Sequence, residues 1–358
     1  MFTSPNTDAM RYSHAMPSGA GRGRPTRGPS IADVARLAGV SAQTVSRVST
    51  GADPVRDDTR DRVLAAMHQL GYSPNRAARA LRNGRFGTIG LLAHRFGRTG
   101  EALTTEAVVE AAAEHGLSVT LLDVHTPEPD SWKDAAHTLS QQSIDGLVII
   151  PSQQATPDSL VLPAGLAVAV SDSRLLRHYP SVVADQIQGS ELAVEHLLGL
   201  GHHTIHHIAG PADSEPAVVR ASTWDQRLRR AGIRPPQVVR GDWSARSGYA
   251  AGQQLVGDDS ITAVYCANDE MAFGLIRALH EHRIRVPQDV SVVGFDDIAL
   301  SGYSSPPLTT VRQDFHQIGR ELVRLVLAQL GTEKVPRSGP VLIPTELIVR
   351  ETTAPPGR

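Results

Sequence analysis

Residues 31–48 read Ile31-Ala-Asp-Val-Ala-Arg-Leu-Ala-Gly-Val-Ser-Ala-Gln-Thr-Val-Ser-Arg-Val48. Ile31, Val34, Ala35 and Ala38 recur at the three- and four-residue intervals that put side chains on one face of a helix, and Gly39 ends it. Ser41 is placed to cap a second helix running to about Val48, since its hydroxyl can accept from a free N–H of the first turn. Ala35, Val40 and Val45 then pack the two helices together and leave Ala42, Gln43, Ser46 and Arg47 outward. Glutamine pairs two-pronged with adenine and arginine with guanine in the major groove, each worth about 1–3 kcal/mol of discrimination. This is the arithmetic of a helix-turn-helix. A lone Gln/Arg pair fits an ordinary solvated hairpin equally well; the whole run of spacings does not.

Working outward, Asp57 or Asp58 can start a third helix, with Val63, Leu64, Met67 and Leu70 as its expected buried stripe and Gly71 as its end. Pro74 punctuates, and a short Ala/Arg/Leu segment follows from Asn75 to Leu81. Residues 1–28 lack hydrophobic periodicity and read as a disordered leader, in which Arg22-Gly-Arg-Pro-Thr-Arg27 is either a phosphate contact or an inert tail. Residues 1–86 hold 13 Arg, no Lys and 6 acidic residues, a balance of +7, whereas the rest holds 22 basic and 31 acidic residues, a balance of −9. A basic N-terminal quarter on an acidic protein points to a polyanionic partner for that quarter alone.

From Thr88 the pattern changes to strand-like runs alternating with amphipathic helices. The strands are expected at Thr88–Leu92, Ser118–Leu122, Gly146–Ile150, Leu166–Val170, Ile205–Ile208, Ala263–Cys266 and Val290–Phe295. The helices are expected at Thr105–His115, Trp132–Gln142, Ser190–Leu200, Ala217–Ala231, Arg246–Val256 and Asp269–His282. Such alternation makes parallel sheets covered by helices on both faces, and this much of it makes two doubly wound lobes with a ligand crevice beyond the strand ends. No internal repeat is found.

Composition excludes several classes. The chain has 358 residues, 41% of them apolar, which is enough for two or three cored domains. Apolar stretches such as Gly146–Pro151 are far too short to span a bilayer, and no secretory h-region is visible, so a cytoplasmic protein without membrane contact is expected. The single cysteine, Cys266, precludes an internal disulfide and reads as a small buried hydrophobe. No Gly-x-x-x-x-Gly-Lys-Ser/Thr loop, Gly-x-Ser-x-Gly elbow or full Gly-x-Gly-x-x-Gly occurs, and the chain has only two lysines, Lys133 and Lys334, so neither an enzyme nor a cofactor is expected. Gly201-His-His-Thr-Ile-His-His207 invites a metal reading for His203 and His207, which strand alternation argues against.

Ile31–Val48, Val55, Thr59-Arg60, Val63, Leu70-Gly-Tyr-Ser-Pro-Asn75, Ala77 and Ala80-Leu81 together resemble the headpiece of the lactose-repressor (LacI/GalR) family. The resemblance continues through Glu195-His-Leu-Leu, Ile208-Ala-Gly-Pro211, Gly241-Asp-Trp-Ser-Ala-Arg-Ser-Gly248, Ala267-Asn-Asp-Glu-Met-Ala-Phe-Gly274, Val290–Asp297 and Pro307–Asp314, to about residue 353. It implies a small all-α helix-turn-helix headpiece and an α/β, two-lobed, doubly wound core like that of periplasmic binding proteins. The implied divisions are a leader at 1–28, a headpiece at 29–73, a hinge helix and linker at 74–86, and a ligand-binding and dimerisation core at 87–358. Within the core, lobe 1 takes about 87–184 and 315–342, and lobe 2 about 185–314 and 343–358.

The resemblance implies DNA contacts from Ser41, Ala42, Gln43, Thr44, Ser46, Arg47, Asn75, Ala78 and Leu81. Asn75–Leu81 would form a hinge helix that wedges Leu81 into the minor groove. So short a helix needs DNA and a second copy to order, and an apolar wedge can kink the duplex. It also implies a sugar site formed by Asp172, Arg220, Trp243, Asn268, Asp296 and Phe315. Carboxylates, an amide and a guanidinium fix hydroxyl directions, and an indole face covers the C–H side of a pyranose. Each residue alone also fits a structural role, such as Asn268 capping the next helix or Trp243 in a core. The chain departs from the family's pattern at Ala42, at Ser49-Thr50-Gly51 and at Ala93–Ala102, where Arg98, Gly100 and Glu101 replace an apolar patch and allow a more polar or larger ligand.

The expected function is a repressor of sugar-utilisation genes, released from a palindromic double-stranded DNA operator by a β-galactoside-like inducer. A non-sugar effector or a corepressor mode is the alternative, and a solute-binding protein a more distant one. One recognition helix sees too few base pairs for useful specificity, so a homodimer is expected. The chain's last residues, Ala354-Pro-Pro-Gly-Arg358, offer no heptad helix for a tetramer.

Overall fold

The computed structural model describes residues 28–50, 55–73, 84–93, 98–123, 138, 143–150, 162–171, 175, 178–258, 260–331 and 339–357. The chain divides into two compact units, Met1–Ala78 and Arg79–Arg358. The leader as far as residue 27, the hinge helix expected over Asn75–Leu81, most of the helix expected over Trp132–Gln142, and Asp172 lie outside the described residues.

The first unit holds three helices, α1 (Ile31–Ala38), α2 (Ala42–Thr50) and α3 (Asp57–Leu70). Ser30 and Asp33 form a reciprocal cap on α1: Ser30 N donates to Asp33 Oδ2 at 2.9 Å and Asp33 N donates to Ser30 Oγ at 3.4 Å. Gly39 closes the helix with φ +66°, a conformation that glycine adopts without a Cβ penalty. Ser41 Oγ accepts from Thr44 N at 3.1 Å and starts α2. Val34, Ala35, Ala38, Val45, Val63, Ala66 and Met67 form the core, with Val40 and Leu70 packed against it. The expected stripe on α3 is corrected at one position: Leu64 is 49% exposed and Ala66 is buried in its place. At about 100° per residue, 63, 66, 67 and 70 share one arc and 64 lies beyond its edge.

The second unit contains two six-stranded sheets. The first uses β1 (Thr88–Ala93), β2 (Ser118–Asp123), β3 (Gly146–Ile149), β4 (Ala167–Ser171), β5 (Ser181–Ala184) and β11 (Val341–Ile343), in the order β2-β1-β3-β4-β5-β11, all neighbours parallel. The second uses β6 (His206–Ala209), β7 (Val239–Arg240), β8 (Ala263–Cys266), β9 (Ser291–Asp296), β10 (Thr309–Arg312) and β12 (Glu346–Ile348), in the order β7-β6-β8-β9-β10-β12. Only its β10–β12 pair is antiparallel. Strands such as β3, β4, β6 and β8 are buried along their whole length, as parallel strands covered on both faces must be.

Helices α4 (Thr99–Glu114) and α9 (Phe315–Gln329) belong to the first lobe, where Val108, Ala112, Ile318, Leu322 and Val326 pack on Ile89 and Val148. Helices α5 (Gln186–Gly199), α6 (Glu215–Arg230), α7 (Ala245–Leu255) and α8 (Asp269–Glu281) belong to the second. The chain passes between lobes at Ala184–Gln186, Arg312–Phe315 and Ile343–Glu346. Three expected strands are observed one residue further on, at Ala167–Ser171, His206–Ala209 and Ser291–Asp296, because Leu166, Ile205 and Val290 pack against the core one residue before ladder pairing begins. Helix α4 begins six residues before the expected Thr105, since a first turn containing Arg98, Gly100 and Glu101 hides its period.

Candidate functional site

On α2, Ser41, Ala42, Gln43 and Arg47 are exposed, Thr44 and Ser46 are half-buried, and Val45 is turned into the core. Ser41 Oγ and Thr44 Oγ1 are 2.9 Å apart. Val45, anchored between α1 and α3, thus fixes which face α2 presents. Asn75, Ala78 and Leu81 belong to the residues not described.

In the core, Arg220 projects from α6 and is 3% exposed. Its Nε donates to Gln186 Oε1 at 2.8 Å, and its Nη1 donates to the Ala267 carbonyl and lies 3.6 Å from Asp296 Oδ1. The guanidinium carbon sits 3.7 Å from the Phe295 ring centroid and 5.6 Å from that of Trp243, both within cation–π range. Asp296, at the end of β9, accepts from Gln313 Nε2 at 2.6 Å. Burial pushes the Asp296 carboxyl well above the usual carboxylate range, Arg220 pulls it back, and Glu270 and Asp269 push it further up. Its φ of +115° and Trp243's φ of +79° are left-handed conformations that cost side-chain-bearing residues about 1–3 kcal/mol, a strain that clusters at functional sites.

Asn268 caps α8, its Oδ1 accepting from Met271 N at 3.1 Å, while its Nδ2 donates to the Trp243 carbonyl at 2.9 Å and Glu270 Oε2 at 2.7 Å. The structural role weighed for Asn268 is therefore real, and its amide nitrogen still faces Trp243. Trp243 lies against Gly210, where a Cβ would come within 2.6 Å of the indole. From the first lobe, Phe315 packs beside Gly100 on α4, and Thr99 Oγ1 donates across to Glu270 Oε1. Arg98 and Glu101, on the same turn as Thr99, pair at 3.4 Å. Thus Arg220, Trp243, Asn268 and Asp296 converge from four segments of one lobe, whereas Phe315 starts α9 in the other lobe, buried in that lobe's core beside Gly100.

Four residues here escaped the sequence reading. Gln186 and Gln313 complete the polar cluster, and Glu270 bridges the lobes. Asp269, wholly buried at the start of α8, accepts from Ser301 Oγ at 2.6 Å, Thr310 Oγ1 at 2.5 Å and Ile298 N at 2.9 Å. Burial raises its carboxyl to about 7 against these donors. Gly294 leaves room for it, since a Cβ there would lie 2.2 Å from Asp269 Oδ1. Asp269, Glu270 and Gln313 stood inside matched segments without a chemical signal of their own, and Gln186 had none at all.

The histidine run is structural. His202 Nε2 donates to the Ala354 carbonyl at 3.0 Å and so holds the C-terminal segment, and His203 is exposed. His207 stacks between Trp224 and Tyr265, with centroids 5.3 and 4.7 Å away, and its Nδ1 donates to the Tyr265 carbonyl at 2.8 Å. Among the described residues no three His, Cys, Asp or Glu are grouped to hold a metal, and no helix is long and apolar enough to cross a membrane.

Residues 30–75 match the family model for bacterial regulatory proteins of the lacI family, and residues 194–353 match that of a periplasmic binding protein-like domain. The chain is 37% identical to the lactose operon repressor of Escherichia coli (strain K12) over 331 residues, covering 90% of each. It belongs to the LacI family. The LacI-family assignment extends to another branch: an HTH-type transcriptional repressor PurR of Haemophilus influenzae (strain PittEE) is 33% identical over 334 residues, covering 90% of this chain and 98% of the relative. Among solved structures, the lac repressor dimer bound to operator and the anti-inducer ONPF matches with a TM-score of 0.80 at 35% identity, covering 92% of this chain and 100% of the other. The transcriptional regulator CelR–cellobiose complex matches with a TM-score of 0.67 at 31% identity, covering 90% and 99%. As a LacI-family member the chain is a DNA-binding regulator responsive to a small-molecule effector, and it works by binding rather than catalysis.

Proposed function

We propose that this regulator represses sugar-utilisation genes as a cytoplasmic homodimer on a palindromic operator, and that a β-galactoside-like sugar releases it. The observation that carries the sugar is the convergence of buried Arg220, Asp296 and Asn268 beside the Trp243 ring. A sugar hydroxyl donating to Asp296 or accepting from Arg220 would add to the hydrogen bonds these buried groups already make within the protein. Asp172 and Phe315 complete the proposed site. In the headpiece, Ser41, Ala42, Gln43, Thr44, Ser46 and Arg47 are the proposed major-groove contacts, with Asn75, Ala78 and Leu81 proposed at the minor groove. Dimerisation suits an open groove of about 830 Å³ on the second lobe, lined by Phe273, Ile276, Val286 and Pro306, whose apolar surface a second copy can cover.

Release is a linkage effect. The sugar must bind the DNA-free arrangement more tightly than the operator-bound one, typically by about 1–3 kcal/mol, and equal binding to both shifts nothing. The test is binding to genomic fragments at fixed salt, with and without a panel of galactosides and other sugars, because phosphate contacts make every affinity salt-dependent. One tightly held palindrome released by one sugar is the expected result. On that palindrome Gln43→Ala costs about 1–3 kcal/mol and relaxes preference at one base pair. A palindrome that no sugar disturbs removes the sugar assignment. The similarity to PurR-named repressors favours a second reading, in which a non-sugar effector acts on the same site and promotes binding. Tightening of the complex by such a ligand distinguishes the two.

A further inference from the structure

Two of the three interlobe crossings carry a buried glutamine. Gln186 is the first residue of α5 in the second lobe, and Gln313 immediately precedes Asp314, which caps α9 in the first lobe by accepting from Gln317 N at 2.7 Å. Gln186 Nε2 donates to Gln313 Oε1 at 3.0 Å. Their remaining amide atoms are committed to the candidate site: Gln186 Oε1 accepts from Arg220 Nε at 2.8 Å, and Gln313 Nε2 donates to Asp296 Oδ1 at 2.6 Å. The Arg220–Asp296 pair at 3.6 Å closes the circuit into a four-residue ring, every member of which is buried.

The third crossing is tied to the first. Asp185 N donates to the Ile343 carbonyl at 2.8 Å, and Gln188 Oε1 accepts from Thr345 N at 2.9 Å. All three passages of the chain between lobes therefore connect, through backbone or one amide, to the pair of charges that faces the site.

The chemistry of the ring restricts what it can do. A carboxamide both donates and accepts from one rigid plane, so turning one end turns the other. Arg220 only donates, and Asp296 Oδ1 accepts from Gln313 Nε2, which fixes the direction of both amides. A buried ring in which both amides are engaged at each end has few alternative arrangements, and rotating one member obliges the next to follow or leave a polar group unmatched. Each glutamine is rooted at the start of a helix, one in each lobe, so following means moving helices rather than a loose side chain.

We propose that Gln186 and Gln313 are positioning residues that transmit the state of Arg220 and Asp296 to the interlobe crossings, so that an occupant of the site resets one lobe against the other through this ring. The proposal rests on reading Arg220 and Asp296 as ligand residues, and the first experiment below does not use a ligand. Amide hydrogen exchange is measured on the full-length chain, in wild type and in Asp296→Asn, each with and without Gln313→Leu. Asp296→Asn is expected to speed exchange at Asp185–Gly189 and Asp314–Ile318 about fivefold, and the gain to fall below about twofold in the Gln313→Leu background. Gln313→Met is the second variant should leucine prevent folding. An equal gain in both backgrounds, or no gain at the crossings, overturns the proposal.

The second experiment uses lactose, cellobiose and isopropyl β-thiogalactoside. Operator affinity with and without each sugar is compared with sugar affinity of the DNA-free protein. In Gln186→Leu and Gln313→Leu the sugar still binds within about tenfold of wild type, while its effect on operator affinity collapses to about twofold. A release ratio that stays at the wild-type value overturns the relay. A wild type that binds none of the three sugars, with the exchange pattern intact, removes the sugar reading and leaves the relay standing.

Discussion

The two lobes share one strand order up to the sixth strand, yet they furnish the ends of those strands differently. In the second lobe, the segments following β6, β7 and β8 supply Arg220, Trp243 and Asn268, and the last residue of β9 is Asp296; these side chains bind one another or each other's backbone. In the first lobe, the described contact to this cluster is Thr99 at the start of α4, which donates to Glu270, next to the Arg98–Glu101 pair and to Gly100 packed on Phe315. The contrast teaches where polar groups gather: on the proposed function, the second lobe would fix a ligand's orientation, and the first would set its outline.

The largest expected effects test whether the lobes are equally rigid. Gly274 and Gly248 let α7 and α8 touch backbone to backbone, since Cβ atoms there would stand 2.0 Å from the Ala245 carbonyl and 2.1 Å from that of Met271. Gly319 does the same for α4 and α9, with Ala107's carbonyl carbon 2.6 Å from its would-be Cβ. Gly274→Val and Gly319→Val each cost about 3 kcal/mol in urea denaturation. A silent Gly319→Val would make the first lobe the softer body. Next comes the polar wall. Arg220→Met strips Asp296 of its cation and costs about 3 kcal/mol together with sugar binding, whereas Arg98→Met, which leaves buried Glu101 without its cation, costs about 2 kcal/mol and spares sugar binding. Equal costs erase the contrast between the lobes.

A smaller effect concerns pH and the second lobe alone. Burial holds His207 neutral down to about 3, whereas an unfolded histidine takes a proton below 6.5. Unfolding therefore binds a proton between those values, and stability falls as pH drops through that window, by about 2 kcal/mol at pH 5 from this group. His207→Phe flattens that part of the profile in denaturation series at pH 7 and pH 5, and an unchanged slope would assign the acid sensitivity elsewhere. Smallest is Ser30→Ala, which removes the α1 cap and costs the headpiece about 1 kcal/mol while leaving the core transition where it was. A shift in both transitions by scanning calorimetry would contradict the division into independent units.

Much of this was legible in the sequence for physical reasons. The helix-turn-helix showed because Val34, Val45 and Val63 must meet in a very small core, leaving little freedom in their spacing. Arg220, Asn268 and Asp296 stood in segments specific enough to name. Strands β5 and β10 and the edge strands β7, β11 and β12, of two to four residues each, are too short to show a period of their own, and α9 was passed over although its buried Phe315, Ile318, Leu322, Val323 and Val326 recur at helical spacing between exposed His316 and Arg320. Gln186 and Gln313 were invisible for a different reason. An amide acquires meaning only from what lies across from it, here a residue more than a hundred positions away.

Three crossings also set a timetable for synthesis. The headpiece helices are contiguous and complete once Leu70 has left the ribosome. The first sheet has no such independence: α9, which packs its core, and β11, which finishes its edge, are translated only after the strands β6 to β10 of the other lobe. Domains fold as units during translation, at about 5–20 residues per second. The lobe that begins first is thus the one that waits, holding an uncovered apolar face for many seconds, and a nascent chain stalled before Phe315 exposes a surface for chaperones that the finished protein never shows.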